Sequence, residues 1–149
     1  MCILSMVAMV LFMVLLLVVS GGAVRTFIDL PTIILMLVVI IPMLISTGLF
    51  KDFNNGLRLG ITKKMPRTVT EIKRAIEAVK LVMTASLVTG IFISIAGMII
   101  VFVNVGDMAV LLPNVSVALI GVIYGIIIYL LLLPFRTILN LKLINYIQE

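Results

Sequence analysis

The sequence predicts an all-α membrane protein with four transmembrane helices. Three observations predict it. The chain has 149 residues, of which 64% are hydrophobic and 11% charged, against roughly 45–50% apolar and about 25% charged in soluble domains. Its apolar residues gather in four runs, about 2–20, 31–50, 81–105 and 113–134, each close to the roughly 20 helical residues that a hydrocarbon core of about 30 Å requires. None of the runs contains Asp, Glu, Lys or Arg. Backbone polar groups find no water inside lipid, so each run is expected to be helical.

These runs make one membrane domain over 1–149, with no soluble part large enough for a core of its own. The expected helices are about 2–20, 31–50, 69–105 and 113–134, with a cytoplasmic link at 51–68 and a tail at 135–149. Of the eleven Lys and Arg, eight fall between Lys51 and Lys80, and Arg136 and Lys142 follow the last run. The positive-inside rule then places the link and the C-terminus in the cytoplasm, and four crossings bring the N-terminus there too. The net charge of +5 is accounted for by basic residues beside anionic headgroups, so no nucleic-acid partner is expected.

The first run is nearly pure Leu, Val and Met, which suits a lipid-facing helix. It lacks a basic leading segment, so a retained helix is expected rather than a cleaved signal peptide. Gly21-Gly22 ends it. The second run opens at Asp29-Leu30-Pro31. Asp29 is placed to cap, and Pro31 suits the first turn, where its missing N–H costs nothing. Pro42 inside the run is expected to kink it, with Ser46 and Thr47 bonding back to the preceding turn. Asn54-Asn55-Gly56 reads as a turn, and Lys63-Lys64-Met65-Pro66-Arg67 as a break. Thr68-Val-Thr-Glu71 reads as a capping box. The third helix therefore starts near Val69 and projects beyond the membrane before its apolar part, and Lys73 and Glu77 are spaced to pair. Gly106-Asp107-Met108 is a tight link, with Asp107 placed to cap the fourth helix. Pro134 is expected to stop that helix, leaving Asn140-Leu-Lys-Leu-Ile-Asn-Tyr as a short amphipathic tail.

Small residues recur on one face of each of the last two runs: Ser86, Gly90, Ser94 and Gly97 in the third, and Ala118, Gly121 and Gly125 in the fourth. Small residues at helical spacing let two backbones approach closely in a bilayer. The same stripe is also able to line an ion route or seat a further helix. A lone Cys2 and the absence of histidine exclude a disulfide framework, a Cys/His zinc site and a His-based triad. No enzyme activity, cofactor or metal is expected. An intramembrane ionisable group usually marks an ion relay. This chain has none, so any titrating carboxylate must come from another polypeptide.

Three stretches resemble the MotA/TolQ/ExbB proton-channel family, and its flagellar stator branch most nearly. Gly21-Gly22 followed by Phe27-Ile-Asp-Leu-Pro31 is similar to the entry of the family's second helix, and Leu49-Phe-Lys-Asp-Phe-Asn-Asn-Gly-Leu57 to that helix's exit. Gly90, Ser94 and Gly97, then Asn104-Val-Gly-Asp107, Val117-Ala-Leu119, Tyr124-Gly125 and Leu133-Pro134 keep the order and spacing of helices three and four. The resemblance implies a homo-oligomeric ring, typically a pentamer, in a bacterial inner membrane. The ring surrounds single-helix partners of the MotB/ExbD kind, which bring a membrane aspartate past which protons or sodium flow. It implies that Ser86, Gly90, Ser94, Gly97, Ala118, Gly121 and Gly125 line the pore and face the partner, and that Pro134 is the family's helix-end proline. The sequence departs from the family in three places. The link between helices two and three is far shorter than in the stator branch, Leu87 replaces a proline, and a threonine pair falls on Gly121 and Val122. The alternative is a non-conducting membrane scaffold or assembly protein on the same helical frame.

Overall fold

The computed structural model describes residues 29–62 and 68–148, together with positions 8, 10–12 and 15 of the first run. The extent of that first helix, its glycine end and the break at 63–67 lie outside the described residues. Every regular element among the described residues is an α-helix: α1 Leu30–Ser46, α2 Phe50–Ile61, α3 Val69–Asn104, α4 Met108–Ala118 and α5 Ile120–Gln148. Two are long and apolar enough to cross a membrane, α3 and the nearly continuous α4–α5. The bent pair α1–α2 makes a third candidate when counted as one broken span.

Local chemistry sets three helix starts through the predicted caps, although the helix expected from about 113 begins at Met108. Asp29 caps α1, its Oδ2 accepting from Thr32 N–H at 3.2 Å and from the Thr32 hydroxyl. Thr68 caps α3 by accepting from Glu71 N–H at 3.2 Å. Asp107 caps α4 by accepting from Ala109 N–H at 2.9 Å. Ser46 and Thr47 donate back to Met43 O at 3.1 and 2.7 Å.

The second run does not continue to residue 50. It stops at Ser46, and the chain turns through 102° into α2. The stop is built by Gly48 at φ 66°. Gly48 N–H donates to Ile45 O and Leu49 N–H to Leu44 O, both at 3.0 Å, the paired closure of a left-handed helix end. Residues 51–61 of the link predicted at 51–68 are therefore helical, and Asn54-Asn55-Gly56 is not a turn. Tertiary contacts override the turn signal there. Gly56 and Gly60 are buried, and a Cβ on Gly56 would sit 3.3 Å from Val79 Cγ2 and 3.4 Å from Ala75 Cβ of α3. The glycines let α2 lie flat on its neighbours, with Phe53 and Leu57 packed against the core.

Pro134 does not stop its helix either, and the predicted tail is the last part of α5. A proline inside a helix costs about 3 kcal/mol or more, but Phe135 and Leu139 just beyond it are buried, Leu139 completely. Lys142 fastens the same segment. Its Nζ donates to Leu59 O and Thr62 O, each at 2.7 Å, and so closes the carbonyl end of α2. Glu77 faces Lys80 at 3.9 Å rather than making the predicted pair with Lys73. Arg74 reaches Asp52 of α2 at 2.9 Å and Gly48 O at 3.3 Å.

The core lies where α1, α2 and α5 meet the N-terminal half of α3. Met36 and Leu44, Ile72, Val79 and Met83, and Phe135 and Leu139 fill it.

Candidate functional site: the small-residue seam

The predicted site residues converge. Ser86, Gly90, Ser94 and Gly97 lie on α3, Ala118 ends α4, and Gly121 and Gly125 open α5. Together they form one seam along which α3 meets the helix pair α4–α5. The separation of the backbones shows why each residue is small. A Cβ on Gly90 would lie 2.4 Å from Gly121 O and 3.2 Å from Gly125 Cα. On Gly121 it would lie 2.9 Å from both Gly90 O and Ser94 Oγ, and on Gly125 2.8 Å from Ser86 O and 3.1 Å from Leu87 Cα. At Gly97 the neighbour is Ala118 Cβ at 3.1 Å. Only glycine lets the chains come this near.

Both seryl hydroxyls of the seam are fully buried and both are used. Ser86 Oγ donates to Met83 O one turn back at 3.0 Å. Ser94 Oγ accepts from Val122 N–H across the seam at 2.9 Å. Val122 is the third residue of α5, whose opening N–H groups have no partner within their own helix. Ser94 therefore caps α5 from another helix, which permits the break at Leu119. The structure thus gives the seven residues an intrachain role, with their small faces turned toward each other inside one subunit. Pro134 lies away from the seam within α5.

The faces of the same helices that the seam leaves free are broad and apolar. On α3 these include Val88, Phe92, Ile95 and Ile99, with Phe92 70% exposed. Tyr124 joins α5 to the start of α1, its hydroxyl accepting from Asp29 N–H at 2.8 Å.

Two features were missed by sequence reasoning. Gly48 builds the elbow, and its signal was present: a glycine immediately after the last periodic residues of a helix. The inward face of α2 was hidden because Gly56 and Gly60 read as breakers when their neighbours are not yet known.

An all-helical membrane subunit with an ionisable-free, glycine-lined seam between its longest helices is the class that this arrangement defines. Residues 37–149 match the MotA/TolQ/ExbB proton channel family. That is most of the chain and takes in α2 to α5, so this protein belongs to that family. No curated protein and no solved structure matches the chain. Membership makes it a membrane ion-channel-type energy-coupling subunit of a family that acts in complexes.

Proposed function

We propose that this chain is the MotA-like subunit of an ion-driven motor or energy-coupling complex. Several copies, five on the family pattern, form a ring around a MotB/ExbD-like single-helix partner that carries a titrating membrane Asp. Each copy crosses a bacterial inner membrane four times with both termini cytoplasmic, and the chain itself catalyses no reaction. The observation that carries this reading is the family match over α2 to α5, set beside apolar runs that contain no acid or base. If protons pass this wall, the titrating carboxylate must come from another polypeptide. Proton or sodium passage past that carboxylate would drive the ring relative to its partner. The free faces of α3 and α5, rather than the seam, are the surfaces available to meet that partner.

Co-expression with a one-helix, Asp-bearing membrane protein tests the proposal. The expected result is a co-purifying complex whose reconstituted vesicles pass protons or sodium, with flux lost when the partner Asp becomes Asn. Purification of a monomer that retains no second polypeptide, with vesicles that stay tight, overturns it.

One observation favours a second reading, a non-conducting scaffold. Ser86 and Ser94 are sealed within the subunit and already bonded, so the seam offers no hydroxyl to a water-filled route. Flux that disappears with the partner Asp eliminates this reading.

A further inference from the structure

Beneath the elbow of α1 and α2 lies a slot of about 490 Å³, within the range of about 300–1,000 Å³ typical of ligand sites. Leu37 and Ile41 of α1 form one wall, Phe50 and Leu57 of α2 the roof, and Val82 and Ile128 the back. Leu37, Ile41 and Phe50 are exposed, so the slot opens on the outer surface of the subunit. Its apolar lining suits a hydrocarbon chain.

The charge around it is one-sided. Asn54 is the one polar side chain that lines the slot among the described residues. Lys51 stands three residues before it and Arg58 four after, so the three share a face of α2. Lys51 and Arg58 are exposed, and neither is in an ion pair among the described residues. The one acid of α2, Asp52, is taken by Arg74 at 2.9 Å. An apolar slot roofed by an amphipathic helix, with a cationic stripe along that helix, matches the two ends of an anionic lipid.

We propose that the elbow binds an anionic phospholipid. One acyl chain occupies the slot, and the phosphate rests on Lys51, Asn54 and Arg58. The site rests on residence in a bilayer and not on ion coupling, so a chain that conducts nothing would still hold the lipid.

The chain has no tryptophan, so a single introduced indole reports on the slot. Full-length Leu37→Trp is placed in nanodiscs containing brominated phosphatidylglycerol or, separately, brominated phosphatidylcholine at the same fraction. The indole is expected to be quenched preferentially by the phosphatidylglycerol. Adding Lys51→Gln and Arg58→Gln is expected to weaken that preference roughly thirtyfold, the scale for neutralising two basic side chains near an anionic headgroup. Phe92→Trp, on the free face of α3, is expected to show no preference. Native mass spectrometry of the otherwise unaltered chain, with and without the paired glutamines, measures the same preference as retained lipid and does not depend on the tryptophan variant folding. Equal quenching or retention of the two lipids, or a phosphatidylglycerol preference that survives both glutamines, overturns the proposal. So does efficient disulfide crosslinking between copies carrying Asn54→Cys and Cys2→Ser, which would put a second copy of the chain in the slot.

Discussion

Gly90 and Gly48 mark the two regions of this molecule that differ most. In the seam, Gly90 has ordinary helical geometry but no room, because a Cβ would meet the backbone of Gly121 at 2.4 Å. In the elbow, Gly48 has room, with nothing within 4 Å of a Cβ, but its φ is +66°. The first glycine is required by its neighbours and the second by its own backbone. The seam is held by direct backbone approach, which side-chain movement does little to relieve. The elbow is held by the helix closure at Gly48 and by the Arg74–Asp52 pair, and it leaves a slot.

Substitution at the seam is the strongest way to break this contrast. Gly90→Ala forces α3 and α5 apart and is expected to cost about 3 kcal/mol, at the upper end for overpacking. Unfolding in mixed detergent micelles, followed by circular dichroism, measures the loss. A small effect would mean that the seam yields like a side-chain contact. Gly60→Ala is the informative companion. Its Cβ would lie 2.4 Å from Phe135 Cδ1, a ring atom and not backbone. The ring is able to turn, so a cost of about 1–2 kcal/mol is expected in the same measurement.

Gly48→Ala tests the elbow. With open space around it, the cost is only that of a left-handed backbone, about 1–2 kcal/mol. The sharper readout is the α1–α2 angle, measured by spin-label distances, which should widen its distribution while the seam distances stay fixed. Ser94→Ala removes the cap on Val122 N–H and is expected to cost about 0.5–1.5 kcal/mol, the measured scale for hydrogen bonds between membrane helices. Faster amide exchange at Val122 is its specific signature. Arg74→Gln is the mildest. The Arg74–Asp52 pair is exposed on the arginine side, so a loss below about 1 kcal/mol is expected, shrinking further in high salt. A larger loss would show that the elbow depends on this pair more than on Gly48.

Much of the fold was legible from local chemistry. Asp29, Thr68 and Asp107 were readable as caps because a cap depends on a side chain and the N–H groups two or three residues ahead. The small faces of α3 and α5 were readable because their period is a property of one helix at a time. Their separate histories end there. A stripe of Ser86, Gly90, Ser94 and Gly97 specifies close approach but does not name what approaches. Close packing is one of the two roles such a stripe can take, and the structure shows it against Gly121 and Gly125 of the same chain.

By itself, then, the sequence determined the apolar lengths, the charge asymmetry, the capped helix starts and the small-residue period, because each follows from neighbours along the chain. Only the tertiary structure decided that 50–61 is helical, that α5 runs through Pro134, and that the seam closes within one subunit. Those outcomes depend on Phe135 meeting Gly60, Lys142 reaching Leu59 and Thr62, and Ser94 reaching Val122. The partners in these contacts stand many residues apart, where short-range rules have no reach.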